Sequence, residues 1–223
     1  MPENCAKRAR PADAAAAQPE EKVSDPQPET ALTSLIGGNE TVTEVGNESD
    51  LTAAVADSNV NTVRLTTDIS ISSSLTVNNR HVTLDLNGYV LKYDSADQGS
   101  VIVVENGGQL TIEDSNTSNL SHRFNPNGKL WVLDEASGTE TVTGGIITGG
   151  NMKEAGYATV DSGVAGGGIS VLNMGSLEMY GGTVYRNRTN GSGGGIWLGG
   201  ISARVSSIKG GAVLENEAGK DGG

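Results

Sequence analysis

The chain has 223 residues and a net charge of −12, from 15 basic and 27 acidic side chains. This charge argues against a nucleic-acid partner, which would need a basic stripe, and it disfavours binding to an anionic membrane. No stretch of about 18 apolar residues is present, so we expect no membrane-inserted segment. Aromatic residues make up only 4% of the chain, and the apolar residues are mostly Val, Ile and Leu, which is typical of strands.

Residues 1–45 predict a disordered tail rich in Pro, Ala and Glu. An alanine run at Ala14–Ala17 is followed by prolines interleaved with acidic residues. This composition buries too little apolar surface to offset the entropy of ordering the chain. The single cysteine, Cys5, lies in this tail and excludes an intrachain disulfide. No export signal is visible.

The remaining residues, 46–223, predict one domain that begins with a short helix at about residues 50–57. Ser49 or Asp50 is the expected N-cap. The apolar positions with helical spacing are Leu51, Ala54 and Val55. We expect this helix to cover the open end of the strands that follow, although an ordinary surface helix has the same pattern.

From Thr62 onward the apolar residues alternate with polar ones, which predicts short strands with one buried face. The segment Val82–Asp85 aligns with Leu110–Glu113, and Leu177 and Met179 continue this pattern. Between residues 116 and 142 the alternation stops. We expect an insertion there with a hairpin around Asn127-Gly128, and a second excursion at residues 151–164.

Residues 143–223 are rich in glycine and contain a second set of repeats. Gly181–Asn187 aligns without a gap with Gly210–Asn216, at nearly the same offset as the first set. Repeats of this length predict a solenoid of stacked units. The glycine pairs that we expect at its corners are Gly181, Gly182, Gly210 and Gly211. Because the chain stops inside a repeat, we expect it to be truncated at its carboxyl end.

These motifs resemble those of Gly-rich, adhesin-like proteins of the bacterial cell surface. The resemblance rests on the Gly-Gly-x-Val-x-x-Asn corners and on the strand starts Gly166–Ile169 and Gly193–Ile196. It implies an all-β fold, the right-handed parallel β-helix, in a secreted or surface-attached protein. A weaker similarity links the chain to polymorphic outer-membrane autotransporters, whose repeats carry a Phe that is absent here. In such a helix Asn187 and Asn216 are expected to stack as a hydrogen-bonded ladder.

The alignment of the first repeats places Asp85 beside Glu113, and Arg80 is the nearest candidate base on the same segment. Paired carboxylates of this kind cleave polysaccharides in some enzymes, whereas the simpler interpretation is that they are turn residues facing solvent. His81 and His122 have neither the spacing nor the cysteine partners of a metal site, and no calcium-binding repeat occurs. We therefore expect no metal and no cofactor.

Aromatic side chains are the other candidates for contact with a ligand. Trp197 alternates with Ile196 and Leu198, so it faces outward if they face the core. Packing beneath a neighbouring loop is the alternative for this indole. The other candidate sugar-stacking residues are Trp131, Tyr180 and Tyr185.

Two functions remain open on the sequence alone. The first, which we favour, is a non-catalytic extracellular β-helix that acts as an adhesin, a stalk or a surface that binds glycans or host proteins. The second is a carbohydrate-active β-helix enzyme, either a polysaccharide lyase or a glycoside hydrolase. The resemblance carries no catalytic residues, and whether the chain is an enzyme is not decided.

Overall fold

The computed structural model describes residues 41–116, 118–127, 130–152, 166–199 and 205–222, without the side chains of residues 126, 127 and 130–132. The predicted tail before residue 41 and most of the excursion at residues 151–164 lie outside these ranges. Within them, no helix has the length and apolar character that crossing a bilayer requires.

The described residues form one helix and 21 short strands. The first elements are β1 (Val42–Val45), α1 (Glu48–Ala56), β2 (Thr62–Leu65), β3 (Ile69–Ile71), β4 (Leu75–Asn78), β5 (His81–Asp85), β6 (Val90–Tyr93) and β7 (Ile102–Glu105). They are followed by β8 (Gln109–Glu113), β9 (Ser121–Asn127), β10 (Leu130–Leu133), β11 (Glu140–Thr143), β12 (Ile146–Thr148), β13 (Asn151–Met152) and β14 (Ile169–Val171). The last are β15 (Ser176–Met179), β16 (Thr183–Tyr185), β17 (Arg188–Thr189), β18 (Ile196–Leu198), β19 (Ser207–Ile208), β20 (Ala212–Leu214) and β21 (Glu217–Ala218).

Four of the five sheets contain only parallel strand pairs. Sheet A has the order β1-β2-β5-β8-β15-β19, sheet B β3-β6-β12-β16-β20, sheet C β4-β7-β14-β18 and sheet D β13-β17-β21. From β2 onward the chain visits sheets A, B and C in turn, and sheet D is added between B and C from β13. The chain is therefore mostly β, with one helix and stacked parallel sheets.

The strand pairing confirms the repeat alignments. Val82 pairs with Leu110 and Asp85 with Glu113, as the first set of repeats predicts. Thr183 pairs with Ala212, as the glycine-rich set predicts. The two sets of repeats have similar offsets along the chain because, in each, the paired strands are separated by strands of similar length and by similar corners.

The core lies between the sheets and is built from alternate residues of each strand. In sheet A the inward residues of the four central strands, each at most 2% exposed, are Val63, Leu65, Val82, Leu84, Leu110, Ile112, Leu177 and Met179. Burying each such side chain contributes about 1.5–3 kcal/mol, which offsets much of the entropy lost on ordering the strands. The residues between them face outward and form the surface of sheet A.

Helix α1 packs against β1 to β4 and buries Leu51, Ala54 and Val55 in the main core, as their spacing predicts. The predicted N-cap is wrong by two to three residues. Asn47 occupies this position, and its Oδ1 accepts a hydrogen bond of 2.9 Å from the backbone N–H of Asp50. Asn and Ser cap helices about equally well, so propensity alone does not decide between them.

The predicted boundary of the tail at residue 45 is also wrong. Residues 42–45 form β1, which pairs in parallel with β2. Val42 lies opposite Thr62, and Val45 lies opposite Leu65. The segment alternates Val and Thr with Glu, but it is only four residues long and precedes a helix. Its pairing with β2 gives it a stability that its own sequence does not reveal.

Strands β9, β10 and β11 form the antiparallel sheet E, in the order β10-β9-β11, within the predicted insertion. Strands β9 and β10 pair antiparallel, with Asn127 opposite Leu130 and Phe124 opposite Leu133, and so form a hairpin. Phe124 is fully buried and meets the ring of Tyr185 edge-on, with 5.2 Å between the ring centroids. The segment thus contains the hairpin expected around Asn127-Gly128, and it is an ordered sheet docked against sheet B.

Corners of sheet B contain the predicted glycines and asparagines. Gly182 and Gly211 have φ angles of 76° and 78°, in the left-handed region that favours glycine. Asn187 donates from Nδ2 to Oδ1 of Asn216 over 3.1 Å, and its backbone N–H donates to the same oxygen over 2.9 Å. Oδ1 of Asn187 in turn accepts from the backbone N–H of Gly150. The two side chains therefore form consecutive steps of a ladder.

Candidate binding surface

The outer face of sheet A carries polar side chains in columns that run across its strands. Strand pairing aligns His81 with Gln109 and Ser176 in one column. A second column, two residues further along each strand, contains Thr83, Thr111 and Glu178. Neighbouring residues within a column lie about 4.8 Å apart, because that is the spacing of paired strands. The surface is thus an array of imidazole, amide, hydroxyl and carboxylate groups.

A groove of about 400 Å³ runs over these columns. It is lined by His81, Gln109, Leu110, Thr111, Ser176, Glu178 and Val205. His81 Nε2 and Thr111 Oγ1 are hydrogen bonded at 3.0 Å, which fixes the imidazole on the floor of the groove. Most of the lining residues are polar, so the groove favours a ligand that exchanges hydrogen bonds with it.

Charged and aromatic groups meet at one edge of the groove. The Tyr180 hydroxyl donates to Glu178 Oε2 over 3.0 Å, and Lys209 Nζ donates to Glu178 Oε1 over 2.9 Å. Lys209 Nζ also lies 4.7 Å from the centre of the Tyr180 ring. Hydrogen bonds from Lys209 and Tyr180 lower the pKa of Glu178, and those to Tyr180 and Glu178 raise the pKa of Lys209. Both groups are therefore charged at neutral pH, and Tyr180 remains 47% exposed.

Asp85 and Glu113 are adjacent, as predicted, but Asp85 has a structural role. Its side chain is buried, and Oδ2 accepts from Arg64 Nε over 2.8 Å and from the Ser115 hydroxyl over 2.6 Å. Oδ1 accepts from the backbone N–H groups of Asn87 and Ser115. Burial opposes ionisation, but the bonds from Ser115, Arg64 and Asn87 outweigh it and lower the pKa of Asp85. A carboxylate satisfied in this way has no lone pair left for a substrate.

Arg80, the predicted basic partner of these carboxylates, points elsewhere. Its guanidinium donates to the backbone carbonyls of Val55, Asp57 and Val60, where helix α1 ends. Arg80 precedes β5 and Asp85 ends it, so the two residues lie about 16 Å apart along the strand. The three candidate residues of the alternative enzyme function are therefore not brought together.

The four candidate aromatic residues lie on different sheets. Tyr185 is 2% exposed and packs on Phe124, because its strand places it on the side covered by sheet E. Trp197 belongs to sheet C, Tyr185 to sheet B and Tyr180 to the corner after β15 of sheet A. Trp131 lies on β10 of sheet E, and its side chain is outside the described residues. Of the aromatics whose side chains are described, only Tyr180 borders the groove.

Trp197 is half-buried, and its indole packs close to its own strand. A Cβ added to Gly199 would lie 2.0 Å from Cη2 of the ring, so the ring lies over that glycine. Ile196 contacts the core, as expected, but Leu198 is 52% exposed. The indole is therefore covered in part by the end of its own strand, and residues 200–204, which follow it, lie outside the described residues.

Four residues of the groove were not singled out from the sequence: His81 as a surface group, Gln109, Ser176 and Glu178. A signal for them exists in the repeat alignment. Once Val82, Leu110 and Leu177 are recognised as stacked core positions, the residues on either side of each of them must share two columns on the opposite face. The polar character of these two columns indicates a surface that can form hydrogen bonds.

Comparison with known proteins gives one family. None of the curated proteins and none of the solved structures compared with this chain matches it. Residues 42–204 match the family model of the pectate lyase-like adhesive domain. The match begins at β1 and covers both the parallel sheets and sheet E up to β18. By this match, which spans well over half of its length, the chain belongs to the pectate lyase-like adhesive domain family.

Proposed function

We propose that this chain is a non-catalytic, extracellular adhesive domain that binds glycans through the outer face of sheet A. In this proposal the stacked sheets form a right-handed parallel β-helix, a solenoid in which one coil consists of a strand in each of sheets A, B and C. The repeated order of the sheets supports it. So do the similar offsets along the chain in the β5–β8, β14–β18 and β16–β20 pairs.

The groove over the polar columns is the observation that carries the proposed function. Glycans present many hydroxyl groups, and the side chains of Gln109, Ser176 and Glu178 offer donors and acceptors to match them. The half-exposed ring of Tyr180 at the edge provides an apolar face of the kind on which a sugar ring packs. An extended array of such contacts suits adhesion, since each contact is weak but many act together.

The membership of an adhesive family supports the surface location. Adhesion requires that the domain lie outside the cell, where its ligands are. The acidic composition agrees with a partner that is neutral or basic, because like charges repel across an interface. Glycans are favoured over host proteins because the groove lining is polar and has few apolar anchors.

A carbohydrate-active enzyme is the alternative function, and the geometry favours it less. Such an enzyme places an acid and a base or nucleophile on opposite sides of the scissile bond. Here Asp85 is engaged by Arg64 and Ser115, and Arg80 by the end of helix α1. Glu113 alone of the three candidates is exposed to solvent.

A glycan array probed with the wild-type domain and with groove variants tests the proposal. Gln109→Ala and Glu178→Gln each remove one partner of the expected hydrogen bonds, so we expect binding of the retained glycans to weaken about 5- to 30-fold. Thr76→Ala, at an exposed position of β4 in sheet C, is the matched control and should bind as the wild type does.

The same glycans should be incubated with the domain and assayed for released oligosaccharides. Release of sugar would contradict a non-catalytic function. Binding that is equal in the wild type and both groove variants would contradict the assignment of the surface, and an array without any retained glycan would contradict the ligand class.

A further inference from the structure

His122 lies at a point where three separate parts of the chain meet. It is the second residue of β9, and Asp68 lies at the corner between β2 and β3. Glu135 follows β10 in the same segment as His122. His122 is 5% exposed, whereas the side chains of Asp68 and Glu135 are 35% and 45% exposed. The three groups thus form a cluster that is closed on the protein side and open to solvent on the other.

The hydrogen bond on the inner side of the ring fixes the tautomer of His122. Nε2 lies 2.6 Å from the backbone carbonyl oxygen of Gly88. A carbonyl oxygen only accepts hydrogen bonds, so Nε2 must carry the proton. Nδ1 points toward the two carboxylates and is hydrogen bonded to Glu135, so a metal ion bound there would replace the proton of that bond.

Both carboxylates direct one oxygen at Nδ1 of His122. Glu135 Oε1 lies 2.9 Å and Asp68 Oδ2 3.7 Å from Nδ1 of His122. The other oxygen of each group is held from outside the cluster by a backbone N–H. Val90 donates to Asp68 Oδ1 over 2.8 Å, and Arg123 donates to Glu135 Oε2 over 3.2 Å. Each potential ligand is therefore oriented by a second contact, as ligands of protein-bound metals are.

Three potential ligand atoms converge in this arrangement. One atom from each residue lies within 4.8 Å of the other two. Atoms that bind one tetrahedral ion at about 2.0–2.1 Å lie about 3.3 Å apart, a value between the two distances observed from Nδ1. Without a metal ion, Nδ1 must carry a proton to donate to Glu135, whereas a bound ion would face both carboxylates at once. Among the described residues no Lys or Arg side chain is paired with Asp68 or Glu135.

We propose that Asp68, His122 and Glu135 bind one divalent transition-metal ion, for which Zn²⁺ is the best match. Imidazole nitrogen is a preferred ligand of Zn²⁺, whereas Ca²⁺ takes six to eight oxygen atoms and would find too few here. Water completes the coordination on the solvent side. The ion neutralises both carboxylates and links the β2–β3 corner to the two segments of sheet E. Binding therefore strengthens the docking of sheet E.

Spacing along the sequence does not reveal this site. The ligands are at positions 68, 122 and 135, and none lies within one helical turn or one strand of another. The expectation that neither histidine belongs to a metal site rested on that spacing. The fold supplies the proximity instead, because the insertion folds back over the corner that contains Asp68.

Titration of the full chain with ZnCl₂ after dialysis against a chelator tests the proposal. The measurements are calorimetric affinity, metal content after gel filtration and thermal stability with and without zinc. We expect one Zn²⁺ per chain and a melting temperature that rises with zinc. Asp68→Asn and Glu135→Gln should each weaken zinc binding at least about 10-fold and abolish most of the thermal shift. Both positions are open to solvent, so the variants should fold, which circular dichroism checks.

Asp97→Asn removes one exposed carboxylate outside the cluster and should bind zinc as the wild type does. Absence of stoichiometric zinc uptake would overturn the proposal, and it is the result expected if a proton on Nδ1 holds the cluster together. Zinc uptake that is unaffected by both variants would place the ion elsewhere in the chain and would also overturn it. Tighter binding of CaCl₂ than of ZnCl₂ would contradict the class of metal.

Discussion

Asp85, a catalytic candidate on the sequence alone, has a structural role in the folded chain. Its carboxylate links three segments of the chain, because it accepts hydrogen bonds from Arg64, Asn87 and Ser115. Since Arg64 and Asp85 are paired residues of β2 and β5, the ion pair lies along a column of the sheet. A buried charge of this kind is costly unless every lone pair is satisfied, and here the neighbours satisfy them.

Asp85→Asn should lower the free energy of unfolding by about 1.5–3 kcal/mol at pH 7, since it weakens hydrogen bonds to a charged acceptor. Because the pKa of Asp85 is lowered by folding, its contribution is complete above the pKa of an unfolded aspartate, about 3.9. It is lost as the pH falls through the lower pKa of the folded state. The difference between variant and wild type in urea unfolding should therefore shrink below about pH 4.

The exposed Asp97→Asn is the control for this titration and should leave stability almost unchanged at every pH. A difference between Asp85→Asn and the wild type that stays constant from about pH 7 to about pH 3 would show that the charge of Asp85 is not what stabilises the sheet.

Sheet E is an element that depends on a small core of its own. Val90, Phe124, Ile146 and Tyr185 form a cluster that is distinct from the main core, with Leu133 and Val142 packed against it. Phe124 comes from sheet E and the other three buried residues from sheet B. The docking of sheet E therefore rests on a few apolar contacts and on the cluster around His122.

Phe124→Ala should undock sheet E and leave the parallel sheets folded. Removing a fully buried phenylalanine costs about 3–5 kcal/mol, and Phe124 is the one buried residue that sheet E contributes to this cluster among the described residues. Amide hydrogen exchange read by mass spectrometry should become faster in residues 121–143 and remain slow in β5 and β8. Thr141→Ala, on the exposed side of β11, should change neither. Faster exchange throughout the sheets would mean that sheet E and the parallel sheets unfold together.

At the scale of the whole domain, one main core runs through the stacked sheets. It extends from Val45 in β1 to Val184 in β16. Beyond it, Ile208 and Leu214 on the last described strands are 56% and 50% exposed. Local stability should therefore be high in the central strands and lower in β19 to β21.

Two leucines, one buried and one half-exposed, measure this gradient. Leu177→Ala removes a side chain that is 1% exposed and should cost about 2–5 kcal/mol in chemical unfolding. Leu214→Ala should cost less than about 1 kcal/mol, because much of its surface is already in water. Similar losses for both substitutions would show that the last strands are as tightly packed as the central ones.

The sequence determined the parts of this protein that repeat. Apolar alternation and the regular repeat offsets predicted the strands, their register and the asparagine ladder, because each of these depends on neighbours at a fixed distance along the chain. Tertiary structure alone decided the side-chain contacts that the repeat does not generate. Arg64 rather than Arg80 pairs with Asp85, Phe124 covers Tyr185, and Asp68 reaches His122 from a distant part of the chain. Such contacts depend on how an insertion folds back over the sheets, and no local preference of the chain encodes that path.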